Sequence, residues 1–275
     1  MKGYPGESQA PGTGPRLSPE YKAHVNERIY TAALLVIGDE ILSGRTQDKN
    51  VAQVATWLNL QGIRLAEARV VPDVHDRIVD AVNALRAAHD YLFTTGGIGP
   101  THDDITVDAI AAAFGAPIVI HPEARAALQA YYATRGGLNE ARLRMARVPE
   151  GATLIKNAAT GAPGVRIGNV FVLAGVPGIA AALLDALTGT LEGGRPVLSR
   201  TVGAHAPESE VADLLADAER THAGTQVGSY PFWKEGRHGS NFVVRGVNRA
   251  MIDACAARIA EGLRERGYEP VDGAL

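Results

Sequence analysis

TTGGIGPTHDDIT, residues 94–106, stands between an apolar run that reads as a strand, Asp90 to Thr95, and a stretch with helical spacing, Ile105 to Phe114. In an open α/β sheet, ligands bind beyond the carboxyl ends of the strands. A helix that starts there offers unpaired N–H groups and the positive end of its dipole to an anion. Gly96, Gly97 and Gly99 let the main chain approach a phosphate closely or take positive φ, which residues with a Cβ resist. Pro100 stiffens the turn, and Thr95 and Thr101 add hydroxyl donors. Asp103 and Asp104 bring carboxylates to the expected helix start, where they cap it or hold a divalent cation against phosphate oxygens. A glycine turn with an Asp cap and nothing bound would read the same way.

Upstream, TAALLVIG from Thr31 to Gly38 is nearly continuous in apolar residues, the pattern of a strand buried on both faces of a parallel sheet. The loop after it, IGDEILSGRTQDKN (37–50), leaves its strand on the edge where the glycine loop leaves its own. Gly38 and Gly44 give turns, and Ser43 and Thr46 are donors. Asp48 reads as an acid at a helix start, favoured by the dipole. Asp39 and Glu40 directly follow a buried strand, where desolvation of two acids calls for a ligand, a partner or a metal.

The pattern continues with a helix over Asn50–Leu60 that stops at Gly62, a strand over Arg64–Val71 and a helix over Val74–Ala88. After the glycine loop come a short strand at Pro117–Ile120, helices over Pro122–Arg135 and Asn139–Ala146, a strand at Asn169–Leu173 and a helix over Gly178–Leu187. Strands alternating with helices predict a doubly wound, mostly parallel sheet covered on both faces. Gly193 and Gly194 break the alternation, and residues 195–275 read as a small α+β unit with helices at Glu208–Thr221 and Arg249–Arg266. The expected division is therefore a leader over 1–28, an α/β domain over 29–194 and a small α+β domain over 195–275. The first 20 residues or so are rich in Gly, Pro and Ser and poor in aliphatic side chains, a composition that does not offset the entropy of ordering.

Composition narrows the function. Hydrophobic residues make up 46% and charged residues 21% of the 275, enough apolar material for a sizeable core. A formal net charge of -3 gives no general attraction for nucleic acid, so a small phosphate or nucleotide ligand is the expected partner. The lone cysteine, Cys255, excludes an intramolecular disulfide and a thiolate-rich zinc site, and its helical setting makes it a buried structural thiol. No apolar run reaches the ~18 residues of a membrane span, and no signal peptide is legible at the start. A cytoplasmic location and a homo-oligomer, dimer or trimer, are expected. The P-loop, the dinucleotide G-x-G-x-x-G, H-E-x-x-H and G-x-S-x-G are all missing.

Together GDEILSGRTQDKN and TTGGIGPTHDDIT resemble the signature of the molybdopterin-binding domain family, in its competence/damage-inducible protein A branch. NEARLRMARVPEGATLIKNAATGAPGV (139–165) and FVLAGVPG (171–178) resemble later motif blocks of that branch, and SYPF (229–232) resembles part of its small C-terminal unit. The sequence departs from the branch where L-P-G-V-P-x-E is common: here Ala174 and Ile179 replace the Pro and the Glu. Related domains lead eukaryotic flavin adenine dinucleotide synthases and form molybdopterin adenylyltransferases. The length of the chain leaves no room for the branch's amidohydrolase domain, so nicotinamide mononucleotide deamidation is not expected.

The resemblance implies either a metal-dependent nucleotide pyrophosphatase acting on flavin adenine dinucleotide or ADP-ribose, or a protein that binds molybdopterin; a non-catalytic regulatory role is a third reading. For cleavage, a divalent ion held by Asp104, with Asp103 or Asp39, would activate a water and offset the charge developing on phosphorus. The pair Asp103-Asp104 suits that reading, because the adenylyltransferases tend to carry Arg-Asp there. His102 reads equally as a phosphate contact and as a solvent-facing turn histidine, Arg142, Arg144 and Arg147 form a basic rim or a solvated face, and Phe232 and Trp233 read first as packing in the small unit.

Overall fold

The computed structural model describes residues 28–234 and 236–275, so nearly all of the expected leader lies outside the described residues. The first unit contains β1 (Tyr30–Ile37), α1 (Asp39–Leu42), α2 (Asn50–Leu60), β2 (Ile63–Val71), α3 (His75–Ala88), β3 (Tyr91–Thr95) and α4 (Thr106–Phe114). There follow β4 (Ile118–Ile120), α5 (Pro122–Tyr132), α6 (Glu140–Leu143), β5 (Arg147–Pro149), β6 (Thr153–Ile155), β7 (Gly164–Ile167), β8 (Val170–Leu173) and α7 (Pro177–Leu187).

The main sheet runs β2-β1-β3-β8-β7-β6. Its first four strands are parallel, and β7 and β6 join as an antiparallel edge. Alternation along β1 divides the core. Ala33, Leu35 and Ile37 pack with Ile78, Val82 and Leu85 of α3 and Ile110 of α4. Ala32, Leu34 and Val36 face Val54 and Leu58 of α2 and Leu183, Leu184 and Leu187 of α7. Each large aliphatic side chain so buried stabilises by about 1.5–3 kcal/mol. Phe93 and Phe171, on neighbouring strands, stack with ring centres 4.9 Å apart.

Two features differ from the sequence expectations. The 117–120 strand lies outside the parallel sheet and pairs antiparallel with β5 in a separate ribbon. The helix expected over Asn139–Ala146 is the single turn α6, followed by a 3-10 turn over Arg144–Ala146.

The second unit holds β9 (Leu198–Ala204), α8 (Glu208–Thr221), β10 (Thr225–Lys234), β11 (Arg237–Gly246), α9 (Arg249–Glu265) and β12 (Val271–Asp272), with its sheet ordered β10-β11-β9-β12. Its own core includes Val202, Leu214, Phe242, Ile252, Cys255 and Leu263. Burial pushes the Cys255 thiol up, as an inert structural cysteine requires. Phe232 packs edge-on against His205. Trp233 does not enter the core: it is 63% exposed and rests edge-on against His238, its cross-strand partner near the end of the β10–β11 hairpin. Among the described residues no helix is long and apolar enough to cross a membrane.

Candidate functional site

Three loops leave the carboxyl ends of β1, β3 and β8 side by side. The turn after β3 depends on glycine at two positions. Gly96 has φ +100°, and a Cβ there would lie 2.1 Å from the Ile37 carbonyl oxygen. Gly97 has φ +65°, and a Cβ there would lie 2.2 Å from Thr106 Oγ1. Thr106, fully buried at the start of α4, clamps both: its hydroxyl donates to Gly96 O at 2.9 Å and its amide to Gly97 O at 3.0 Å. The amides of Gly97, Ile98 and Gly99 donate to no backbone carbonyl among the described residues.

Asp104 does not cap α4, whose N-cap Ile105 has no side-chain bond. Its Oδ2 instead accepts from the Thr101 amide at 2.8 Å and from the Thr101 hydroxyl, closing the loop on itself. A carboxylate three residues past Thr101 reaches that amide before it reaches the helix, which explains the difference from the expected cap. Arg144 approaches Asp104 O at 3.5 Å, and Arg147 pairs with Asp108. With Gly97, Gly99 and Asp104, the two arginines line a cavity of ≈20 Å³, room for about one water. Arg142 turns away onto the Tyr132 ring. Pro100, Thr101 and His102 are exposed, and His102 Nδ1 lies 4.0 Å from the Asp103 carboxylate.

In the loop after β1, the Asp39 amide donates to Asp73 Oδ2 at 2.9 Å. Gly38 is held by its amide on Val71 O at 3.2 Å, and Ser43 Oγ is spent on Glu40 O at 3.4 Å. Burial raises the Asp73 pKa, the Asp39 amide opposes that, and the charges of Asp39, Glu40 and Asp103 raise it further. Acids from three loops therefore share one field. Asp103 is held below the usual carboxylate range, mainly by the Thr101 side chain. Asp48 is a helix-start acid, taking the Val51 amide at 2.8 Å. Sequence reasoning missed Asp73, although it too follows the carboxyl end of a strand.

The third loop, after β8, touches both others. Gly175 O accepts from Asn50 Nδ2 at 2.8 Å, and a Cβ on Gly175 would lie 3.2 Å from Gly96 Cα. Asn50 is 4% exposed and Thr95 1%, yet Asn50 Oδ1 and Thr95 Oγ1 have no partner. Buried orphans of this kind cost about 1–3 kcal/mol each unless a ligand or water meets them. Neither Asn50 nor Gly175 stood out in the sequence as a site residue. Among the described residues no three His, Cys, Asp or Glu side chains come together to hold a metal ion. A hard cation here fits only as Mg²⁺ commonly binds, through one or two carboxylates with phosphate oxygens and water completing its shell. Asp39, Glu40 and Asp103, whose charges reach Asp73, are the carboxylates available for it.

Residues 33–193 match the family model described as "Probable molybdopterin binding domain", and residues 196–272 match "FAD synthase, middle domain". A protein of Aeropyrum pernix is 33% identical over 258 residues, covering 89% of this chain and 96% of its own length. A CinA-like protein of Desulfosudis oleivorans is 36% identical over 199 residues, which span 67% of this chain and 48% of that longer protein. Among solved structures, the protein CinA from Thermoplasma acidophilum aligns with a TM-score of 0.54 at 34% identity, covering 58% of this chain and 96% of that one. With the first model spanning more than half of the sequence and the second following it, the chain belongs to the CinA-like molybdopterin-binding family.

Proposed function

We propose that the chain is a nucleotide pyrophosphatase that grips a pyrophosphate on the Gly97, Ile98 and Gly99 amides and cleaves it with a divalent cation. The observation that carries this reading is the joint position of those unpaired amides, the half-buried Arg144 and the acid group of Asp39, Asp73 and Asp103 at one edge of the sheet. Amides and guanidinium stabilise an anion whose charge grows in the transition state. Asp104 holds the turn that follows these amides by accepting from Thr101, and its carboxylate, with Asp103 or Asp39, would hold the cation. When bound, a divalent ion supplies an activated water and charge neutralisation on the phosphoryl oxygens. The protein's part is to orient the phosphates and fix the acids, with the glycine loop braced by the tight approach of Gly175 to Gly96.

Binding of molybdopterin through a terminal phosphate is a second reading, supported by the family model over residues 33–193. One experiment separates the two. The protein is incubated with flavin adenine dinucleotide, ADP-ribose and molybdopterin, with and without Mg²⁺ or Mn²⁺. Release of mononucleotides that depends on the cation supports cleavage; tight molybdopterin binding with no release from any pyrophosphate overturns it.

A further inference from the structure

Beside the glycine loop, α5, β6 and residues 156–163 line an open groove of ≈650 Å³, and Pro163 lines both this groove and the small phosphate-side cavity. That volume falls in the range of about 300–1,000 Å³ usual for small-molecule sites. Three of the groove's lining residues, Ala127, Ala152 and Gly161, are small and leave room for a ring. Its far wall is set before any ligand arrives. Gly161 has φ +69°, and a Cβ there would lie 2.8 Å from Tyr131 Cβ, so the loop lies directly on α5 only with glycine. Asn157 knots the same loop, donating to Thr160 Oγ1 and Ala162 O at 2.7 Å and accepting from the Ala159 amide at 2.8 Å. Exposed Lys156 and Glu123 stand at the groove without an ion-pair partner among the described residues.

We propose that this groove is the second half of the ligand site and receives the far nucleoside of a pyrophosphate diester whose phosphates lie on the Gly97–Gly99 amides. The inference rests on the phosphate-gripping reading above and adds to it the place of the far nucleoside. A diester carrying a sugar-bearing group at each end spans loop and groove, whereas a ligand ending in a single phosphate leaves the groove empty. Lys156 donates hydrogen bonds to oxygens of the sugar or base. Glu123 accepts hydrogen bonds from sugar hydroxyls, and the alanine and glycine lining takes the base or sugar face.

The test is calorimetric titration of the full chain and of two groove variants, Ala127→Trp and Lys156→Glu, with ADP-ribose and with inorganic pyrophosphate in the presence of Mg²⁺. Ala127 and Lys156 are exposed, so both variants should melt near the parent temperature. The expected result is a rise of roughly tenfold or more in Kd for ADP-ribose, with pyrophosphate binding unchanged. If the parent protein binds both probes and both variants bind ADP-ribose as tightly as the parent, the groove proposal is overturned and the phosphate reading stands. Parallel loss of both probes in the variants also overturns it, because the change then acts through the loop. If the parent binds neither probe, the phosphate reading fails, and the groove proposal fails with it.

Discussion

At Asp104, one carboxylate serves the loop with Oδ2, which takes the Thr101 amide at 2.8 Å, and the residue also lines the small cavity. Asp104→Asn keeps an acceptor for that amide and removes the charge. Folding should persist, with a thermal midpoint close to the parent, while cation-dependent cleavage should fall roughly 100-fold or more, the size of a lost transition-state interaction of ~3 kcal/mol. Full activity with intact metal dependence would show that the carboxylate only holds the turn. Asp73 offers a pH signature with a definite sign. Its folded pKa is raised, chiefly by burial and further by Asp39, Glu40 and Asp103, so its protonated form is the one the fold favours. The stability it contributes is full below its unfolded pKa and is lost as pH rises through the folded value. Asp73→Asn, which still accepts the Asp39 amide, should therefore raise the melting temperature at pH 7 and leave it nearly unchanged at pH 3. A divalent cation should stabilise the parent more than the variant at pH 7. An equal gain from the variant at both pH values would contradict this origin of the shift.

Among the elements, the β3–α4 turn depends most on a single clamp, Thr106. Thr106→Val preserves shape and removes the hydroxyl that meets Gly96 O. The orphaned carbonyl should cost about 1–2 kcal/mol, read as a fall of roughly 2–8 °C in Tm, and pyrophosphate binding should weaken because the amides lose their frame. An unchanged Tm and Kd would show that α4 holds the turn without the clamp. The elements readable in the sequence are those whose signal is local. β1 and β8 are apolar runs with nearly every residue buried, and α3 repeats Ile78, Val82 and Leu85 at helical spacing on one face. β5, β6 and β7 gave no such signal: each has three or four residues, Arg166 and Thr153 point to solvent, and their stability comes from antiparallel pairing with neighbours. The site divides the same way. Gly96, Gly97 and Asp104 stand in one short stretch whose glycines announce a tight turn. Asn50 finds its partner, Gly175 O, 125 residues away, and Asp73 sits in a loop without glycine.

In the whole molecule, two cores meet across a narrow seam. The main sheet buries its two faces under four helices, while β9 to β12 with α8 and α9 enclose a separate core around Phe242 and Leu263. Between them, the Asn59 side chain exchanges two hydrogen bonds of 3.1 Å with the Val197 backbone, and the Gly194 amide donates to Gly62 O at 2.9 Å. This contact is close enough that a Cβ on Gly62 would lie 2.0 Å from Gly194 O, and φ at Gly62 is +72°, so only glycine is tolerated at the crossing. A seam of a few hydrogen bonds contributes on the order of 1–2 kcal/mol, far less than either apolar core. Residues 195–275 produced alone should therefore fold cooperatively, with circular dichroism of a mixed α/β unit and a Tm lower than in the full chain by roughly 5–15 °C. Residues 28–194 produced alone should keep pyrophosphate binding, since every loop of the site belongs to that unit. If 195–275 instead shows no cooperative transition, the seam supplies more stability than its hydrogen bonds account for. Loss of binding by 28–194 would mean that the small unit takes part in the site.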